Sequence, residues 1–349
     1  MRGVVSGQVP IWPGQGLPAA RSRDCSGSSV AQVVLGSQRG CVEEGVVTIA
    51  RQVLAVRTYL LTRRCTQRQL LLRPDDVVEQ IFLYCLGEAV ARYGITLHAF
   101  IAMSNHEHLI IRDNHGNFPE FLAHFHKMVA KSMNALRGRW ENFWATEQPN
   151  AVYLVGAEDR FDKLVYLLAN PVADHLVDRV SDWPGACSFG MHLSGRTRTV
   201  ARPRCFFGPN STMPGEVTLS LERLDGFESL TEEEWSTKLL DAVRAEEERA
   251  RAERLERGAR VLGRKAVLRA EPTDVPKTVA PRRGLRPCVA CRERRRRIAE
   301  LEALVEFRAK RQAALMRHLA GEVGVPFPHG TYRIRGFFRT APAPSLTHS

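Results

Sequence analysis

Two apolar, β-branched stretches, Leu97 to Met103 and His106 to Arg112, stand with only Ser104-Asn105 between them. A gap that short joins strands as a tight antiparallel hairpin, so this segment restricts the fold more than any other. Side chains two apart on a strand leave the same face. His106 and His108 therefore project side by side, and Glu107 projects to the opposite face. Two adjacent imidazoles form a chelating pair for one metal ion. The same spacing also suits two hydrogen-bonded histidines at a strand edge. His124 and His126 repeat the spacing in a helical context, where a two-residue step turns about 200° and sends the rings apart.

Around the hairpin the pattern alternates. Val53 to Leu61 predicts a first strand that runs into the basic pair Arg63-Arg64. After Pro74, Asp75-Asp76 can cap a helix in which Val77, Ile81, Cys85 and Ala89 recur every four residues, with Gly94 as its end. Phe118, Phe121, Leu122, Phe125, Val129 and Leu136 predict a second helix with Lys127, Lys131 and Arg137 exposed. Residues 151–155 suit a fourth strand. A third helix is expected from Ala157 to Asn170, stopping at Pro171. The element order β-α-β-β-α predicts an α+β fold, an antiparallel sheet with helices packed on one face.

The rest of the chain divides by composition. Residues 1–45, rich in Gly, Ser, Pro and Gln, read as a disordered tail or as a start site placed too far upstream. Residues 46–190 carry the patterned domain. Residues 191–280 read as a loosely structured, charged helical extension, and 281–349 as a basic helical region. From Arg282 to Arg317 there are 12 basic and 4 acidic residues, a local net of +8. Over all 349 residues, 50 Lys and Arg stand against 38 Asp and Glu, a net of +12. That excess favours polyanionic partners, nucleic acid above all. Eight cysteines are too sparse for a disulfide scaffold. Cys288 and Cys291 have zinc-ligand spacing, with His318 and His329 downstream, but lack a second pair. No apolar segment reaches membrane-spanning length and no secretory leader is expected, which places the protein in the cytoplasm.

In the third helix Tyr166 and Asn170 are i and i+4 and share a face, with Asp162 one turn earlier. That helix can offer a phenol nucleophile and an oxygen ligand to one site; it also suits a tyrosine at a core edge and an asparagine at the helix end. Among six tyrosines, Tyr153 is the other candidate nucleophile, in a strand-like context with no ligand one turn away. Trp140, Phe143 and Trp144 could stack on bases or fill core, and Lys127, Lys131, Arg137 and Arg139 could contact phosphates.

The ordered set Asn105-His106-Glu107-His108-Leu109, then Tyr166 to Asn170-Pro171-Val172, then Ser181-Asp182-Trp183-Pro184 resembles the single-tyrosine HUH transposases, and most of all their REP-associated tyrosine transposase branch. The resemblance spans about residues 46–190. It implies a ferredoxin-like sheet with helices on one side, His106 and His108 as paired metal ligands, Asn170 completing the site, and Tyr166 as nucleophile. It further implies Mg²⁺ or Mn²⁺ as cofactor, single-stranded DNA with hairpin ends as partner, and cutting and rejoining through a 5′-phosphotyrosine. The protein could act as a monomer or a homodimer. The residue between the histidines is usually apolar in that family; here it is Glu107. A non-catalytic DNA binder descended from a transposase is the alternative. A metal-dependent hydrolase with Glu107 as base is a third reading, which strand geometry disfavours.

Overall fold

The computed structural model describes residues 50–208, 210–277 and 287–332. The tail at 1–45, the end of the chain past Tyr332 and much of the Pro/Arg linker lie outside the described residues.

Strand β1 (Arg57–Arg64) leads to helix α1 (Asp76–Tyr93), followed by the hairpin β2 (Thr96–Ala102) and β3 (His106–Asp113). The hairpin closes across two residues, with Met103 N–H donating to His106 O at 2.9 Å. Asp75 caps α1 through the Val78 amide, and Gly94 ends it in the left-handed region. Its φ of 61° is what favours glycine, since a Cβ there would meet only the tip of the exposed His115 ring, which can move aside. Helix α2 (Phe118–Leu136) takes its cap from a strand: the Asp113 carboxylate accepts from the Asn117 and Phe118 amides at 3.0 Å each. Strand β4 (Asn150–Leu154) and helix α3 (Ala157–Ala173) complete the unit.

These strands form an antiparallel sheet in the order β2-β3-β1-β4, the arrangement of a ferredoxin-like fold. Alternation along each strand divides the core in two. On one face Tyr59, Leu61, Leu109 and Ile111 pack against Phe82 of α1 and Phe121 and Phe125 of α2. On the other face Leu60, Ile110, Val152 and Leu154 pack against Leu164, Leu168 and Val172 of α3. Helices α1 and α2 thus share one face as expected, whereas α3 covers the other, so the helices do not all lie on one side of the sheet.

Several boundaries differ from expectation. The first strand lies four residues later at its start than predicted, because Val56 adopts a left-handed φ of 59° and turns the chain into β1. Val77 is exposed and Val78 is buried in its place. Helix α3 continues through Pro171 to Ala173 instead of stopping at Asn170. Pro171 removes one amide donor, but Val172 is fully buried in the core, and that burial holds the last turn helical.

Past Ser188 come α4 (Phe189–Ser194), the β5 (Arg198–Ala201) and β6 (Glu216–Leu219) ribbon, α5 (Glu232–Glu256), α6 (Arg264–Arg269), β7 (Val289–Ala290) and α7 (Arg294–Leu319). Charged as it is, α5 buries Trp235, Leu239 and Val243 against the α3 core. The Cys288–Cys291 segment supplies β7, which pairs in parallel with β4 at the sheet edge. Arg308 Nη2 lies 3.7 Å from Cys288 Sγ. No group of three or more His, Cys, Asp or Glu side chains suited to a metal occurs among the described residues. No described helix is long and apolar enough to cross a membrane.

Candidate active site

β3 presents His106 and His108 to the face covered by α3, and their ring centroids are 4.9 Å apart. Both are buried, at 2 % and 5 % exposure. Helix α3 brings Tyr166 and Asn170 to the same place. The Tyr166 ring lies 5.8 Å from that of His108, and Asn170 Nδ2 lies 3.3 Å from His108 Nε2. The four candidates therefore converge from two elements, although Tyr166 is 58 residues beyond His108 in the chain.

The hydrogen bonds fix the imidazole tautomers. Asn105 Oδ1 can only accept, so His106 Nδ1–H donates to it at 2.7 Å. The Asn170 amide donates to His108 Nε2, which leaves Nδ1–H of that ring to donate to Thr62 Oγ1 at 2.8 Å. Both rings thus aim Nε2 at the site, and that of His108 accepts from the Asn170 amide, a bond that a cation there would replace. Burial holds them neutral: His106 titrates well below the usual histidine range, through burial first and then the neighbouring His108 and Arg64, and burial pushes His108 down to about 4. Neutral imidazoles with Nδ1–H anchored to a second residue are the form in which histidine binds metal.

Asn170 is buried, and its Oδ1 has no hydrogen-bond partner. An orphaned amide oxygen beside two imidazole lone pairs is a donor set that fits a divalent cation. Tyr166 is the accessible member, 37 % exposed. Burial and the Asp174 carboxylate raise the pKa of its phenol, and Asn170 lowers it. Lys163 Nζ sits 5.3 Å from the centre of its ring. At the rim, Arg64 shares the histidine face of β1 and pairs in register with His106.

The other candidates fall elsewhere. Asp162 is ion-paired with Arg292. Tyr153 faces the opposite side of the sheet, with the Arg57 guanidinium 4.3 Å over its ring. Arg137 is half-buried and donates to Leu71 O at 3.1 Å, so it is not the exposed cation that the helical pattern predicts. Phe143 and Trp144 are core, whereas Trp140 is 89 % exposed. Glu107 lies on the far face, 1 % exposed, where His126 Nε2 meets its Oε1 at 2.5 Å. It cannot serve as a base for the histidine side of the sheet. Thr62, Asn105 and Arg64 were missed from sequence. Only the β1–β3 register, which pairs Thr62 with His108, could have pointed to two of them.

No protein-family model matches the sequence, and no curated relative matches it. Among solved structures the chain is similar to a REP-associated tyrosine transposase bound to a REP hairpin, with a TM-score of 0.37 and 17 % identity over 51 % of this chain and 99 % of that one. It is also similar to a protein of Deinococcus radiodurans R1 provisionally described as a transposase, with a TM-score of 0.26 and 19 % identity over 34 % of this chain and 95 % of that one.

Proposed function

We propose that this protein is a single-tyrosine DNA transposase or nuclease of the HUH kind, which cuts and rejoins single-stranded DNA. The observation that carries the proposal is the convergence of two neutral histidine Nε2 atoms, the orphaned Asn170 Oδ1 and the accessible Tyr166. His106, His108 and Asn170 would hold a divalent ion, Mg²⁺ or Mn²⁺, which when bound supplies Lewis-acid polarisation of a phosphate oxygen. The chain's own residues do the rest. Thr62 and Asn105 lock the ring orientations, so the ligand geometry is set before DNA arrives. Arg64 offers a guanidinium at the rim to steady phosphate charge.

Tyr166 Oη attacks phosphorus and the P–O3′ bond breaks, giving a 5′-phosphotyrosine and a free 3′ oxygen. The phenol proton leaves Oη during attack and the 3′ oxygen takes one up, so the step needs no external energy source. A phenol is protonated at neutral pH and burial favours that form further, so Oη must lose its proton for the attack to occur. A 3′ hydroxyl reverses the step and joins strands. Hairpin-ended single-stranded DNA is the substrate class that the sequence resemblance implies, and the net charge of +12 suits it.

Purified protein incubated with end-labelled single-stranded hairpin DNA from the flanks of its own gene, with Mn²⁺ or Mg²⁺, should form a covalent adduct on denaturing gels. The adduct should vanish in Tyr166→Phe and in His106→Ala. Binding with no adduct would favour the non-catalytic DNA binder, and cleavage that survives Tyr166→Phe would favour a hydrolase.

A further inference from the structure

Away from the histidine site, on the α2 side of the sheet, lies a cavity of about 340 Å³. Its wall includes Arg51, Arg63, Arg311, His126, Gln148 and Tyr332, and no carboxylate lines it. The arginines come from separate places: the segment before β1, β1 itself, and the basic helix α7. Two of them make the following contacts. Arg51 Nη2 donates to Pro149 O at 2.6 Å and its guanidinium stands 5.8 Å from the centre of the Phe118 ring. Arg63 Nη1 donates to His126 Nδ1 at 2.9 Å and lies 5.5 Å over the Trp144 ring. Arg311 has no ion-pair partner among the described residues.

Guanidinium only donates, so His126 accepts at Nδ1 and carries its proton on Nε2, which donates to Glu107. The Glu107 carboxylate thus answers the Arg63 charge from behind the imidazole and does not line the cavity. Arg63 Nε is buried and has no hydrogen-bond partner. A cavity this size accommodates a small ligand, and guanidinium groups match the tetrahedral oxygens of phosphate in paired hydrogen bonds.

We infer that this cavity is a phosphate-binding pocket, separate from the histidine–tyrosine site, in which Arg51, Arg63 and Arg311 take a phosphate group carried by a mononucleotide-sized ligand or by a nucleic-acid strand. It gives the basic α7 a part in binding and gives Glu107 a task, since that carboxylate holds His126 and through it Arg63. The pocket does not depend on transesterification by Tyr166.

The test is isothermal titration calorimetry of the full chain at low salt with EDTA present, which keeps divalent ions out of the histidine site. Inorganic phosphate, thymidine 5′-monophosphate and a short oligothymidylate are the titrants. Saturable binding is expected, weakened about tenfold or more in Arg311→Glu and in Arg51→Gln. Arg295→Glu, on an exposed part of the same helix, should bind as the wild type does. Equal affinity for the monophosphate and the oligonucleotide identifies a free ligand. Tighter oligonucleotide binding that Arg311→Glu removes identifies a strand phosphate. The proposal is overturned if none of the three binds the folded protein, or if Arg311→Glu, with an unchanged melting temperature, binds them as the wild type does.

Discussion

Glu107 and His126 meet at 2.5 Å on the face of the sheet opposite the histidine pair, and both are almost fully buried. A carboxylate between two metal-ligand candidates is tolerated there because a helix on the reverse face brings an imidazole N–H to it, with Arg63 behind. Glu107 Oε2 has no partner, so the bond to His126 is what satisfies the group.

Replacing Glu107 with Leu should therefore leave His126 Nε2–H buried without an acceptor and remove the counter-charge behind Arg63, which keeps its bond to His126 Nδ1. A loss of about 2–3 kcal/mol is expected, read as a lower midpoint in urea denaturation. Glu107→Gln keeps an acceptor oxygen and should lose less. Equal midpoints for Leu and wild type would show that the buried bond contributes nothing net.

Thr62→Val removes the acceptor that orients His108 and keeps the side-chain volume. Mn²⁺ affinity should fall about 10–100-fold, measured by electron paramagnetic resonance titration, and Thr62→Ser should restore it. A structural role alone would lower stability in Thr62→Val without moving the metal affinity of the folded fraction.

Asn170→Asp exchanges a neutral oxygen donor for an anionic one beside His106 and His108. Divalent-ion binding should tighten, whereas Asn170→Ala should weaken it about tenfold or more. If Asn170→Ala bound Mn²⁺ as tightly as wild type, Asn170 would not belong to the ligand set.

Arg64→Ala should slow adduct formation about 10²–10³-fold with little change in melting temperature, the usual size of a lost electrostatic contact in a transition state. Arg64→Lys should recover part of the rate. The comparison is made by single-turnover kinetics at saturating DNA, so that weaker binding is not mistaken for slower chemistry.

His192 is buried beside Trp235, and burial drives its pKa down to about 3; His98, also buried, is shifted in the same direction. A histidine whose folded pKa lies below its unfolded one binds more protons when unfolded. Its stabilising effect is complete above pH 6.5 and is lost as pH falls from there toward 3. His192 should remove about 1.4 kcal/mol per pH unit in that window. In His192→Gln the slope of unfolding free energy between pH 6 and 4 should be shallower by about that amount. An unchanged slope would show that His192 is solvated and titrates normally.

The sequence alone determined what is local. The two-residue gap dictated the hairpin, and strand alternation put His106 and His108 on one face and Glu107 on the other. Helical spacing set Tyr166 and Asn170 on one stripe and sent His124 and His126 apart, to Glu88 and to Glu107 respectively. The tertiary structure decided everything that joins distant residues. Thr62 reaches His108 across 46 positions and Asn170 reaches it across 62, through strand register and helix docking that no local period encodes. Packing also carried α3 through Pro171 and drew Arg51, Arg63 and Arg311 around one cavity. Local pattern is set by the geometry of a single strand or turn, whereas partners across the fold are chosen by which buried surfaces and buried charges can be satisfied together.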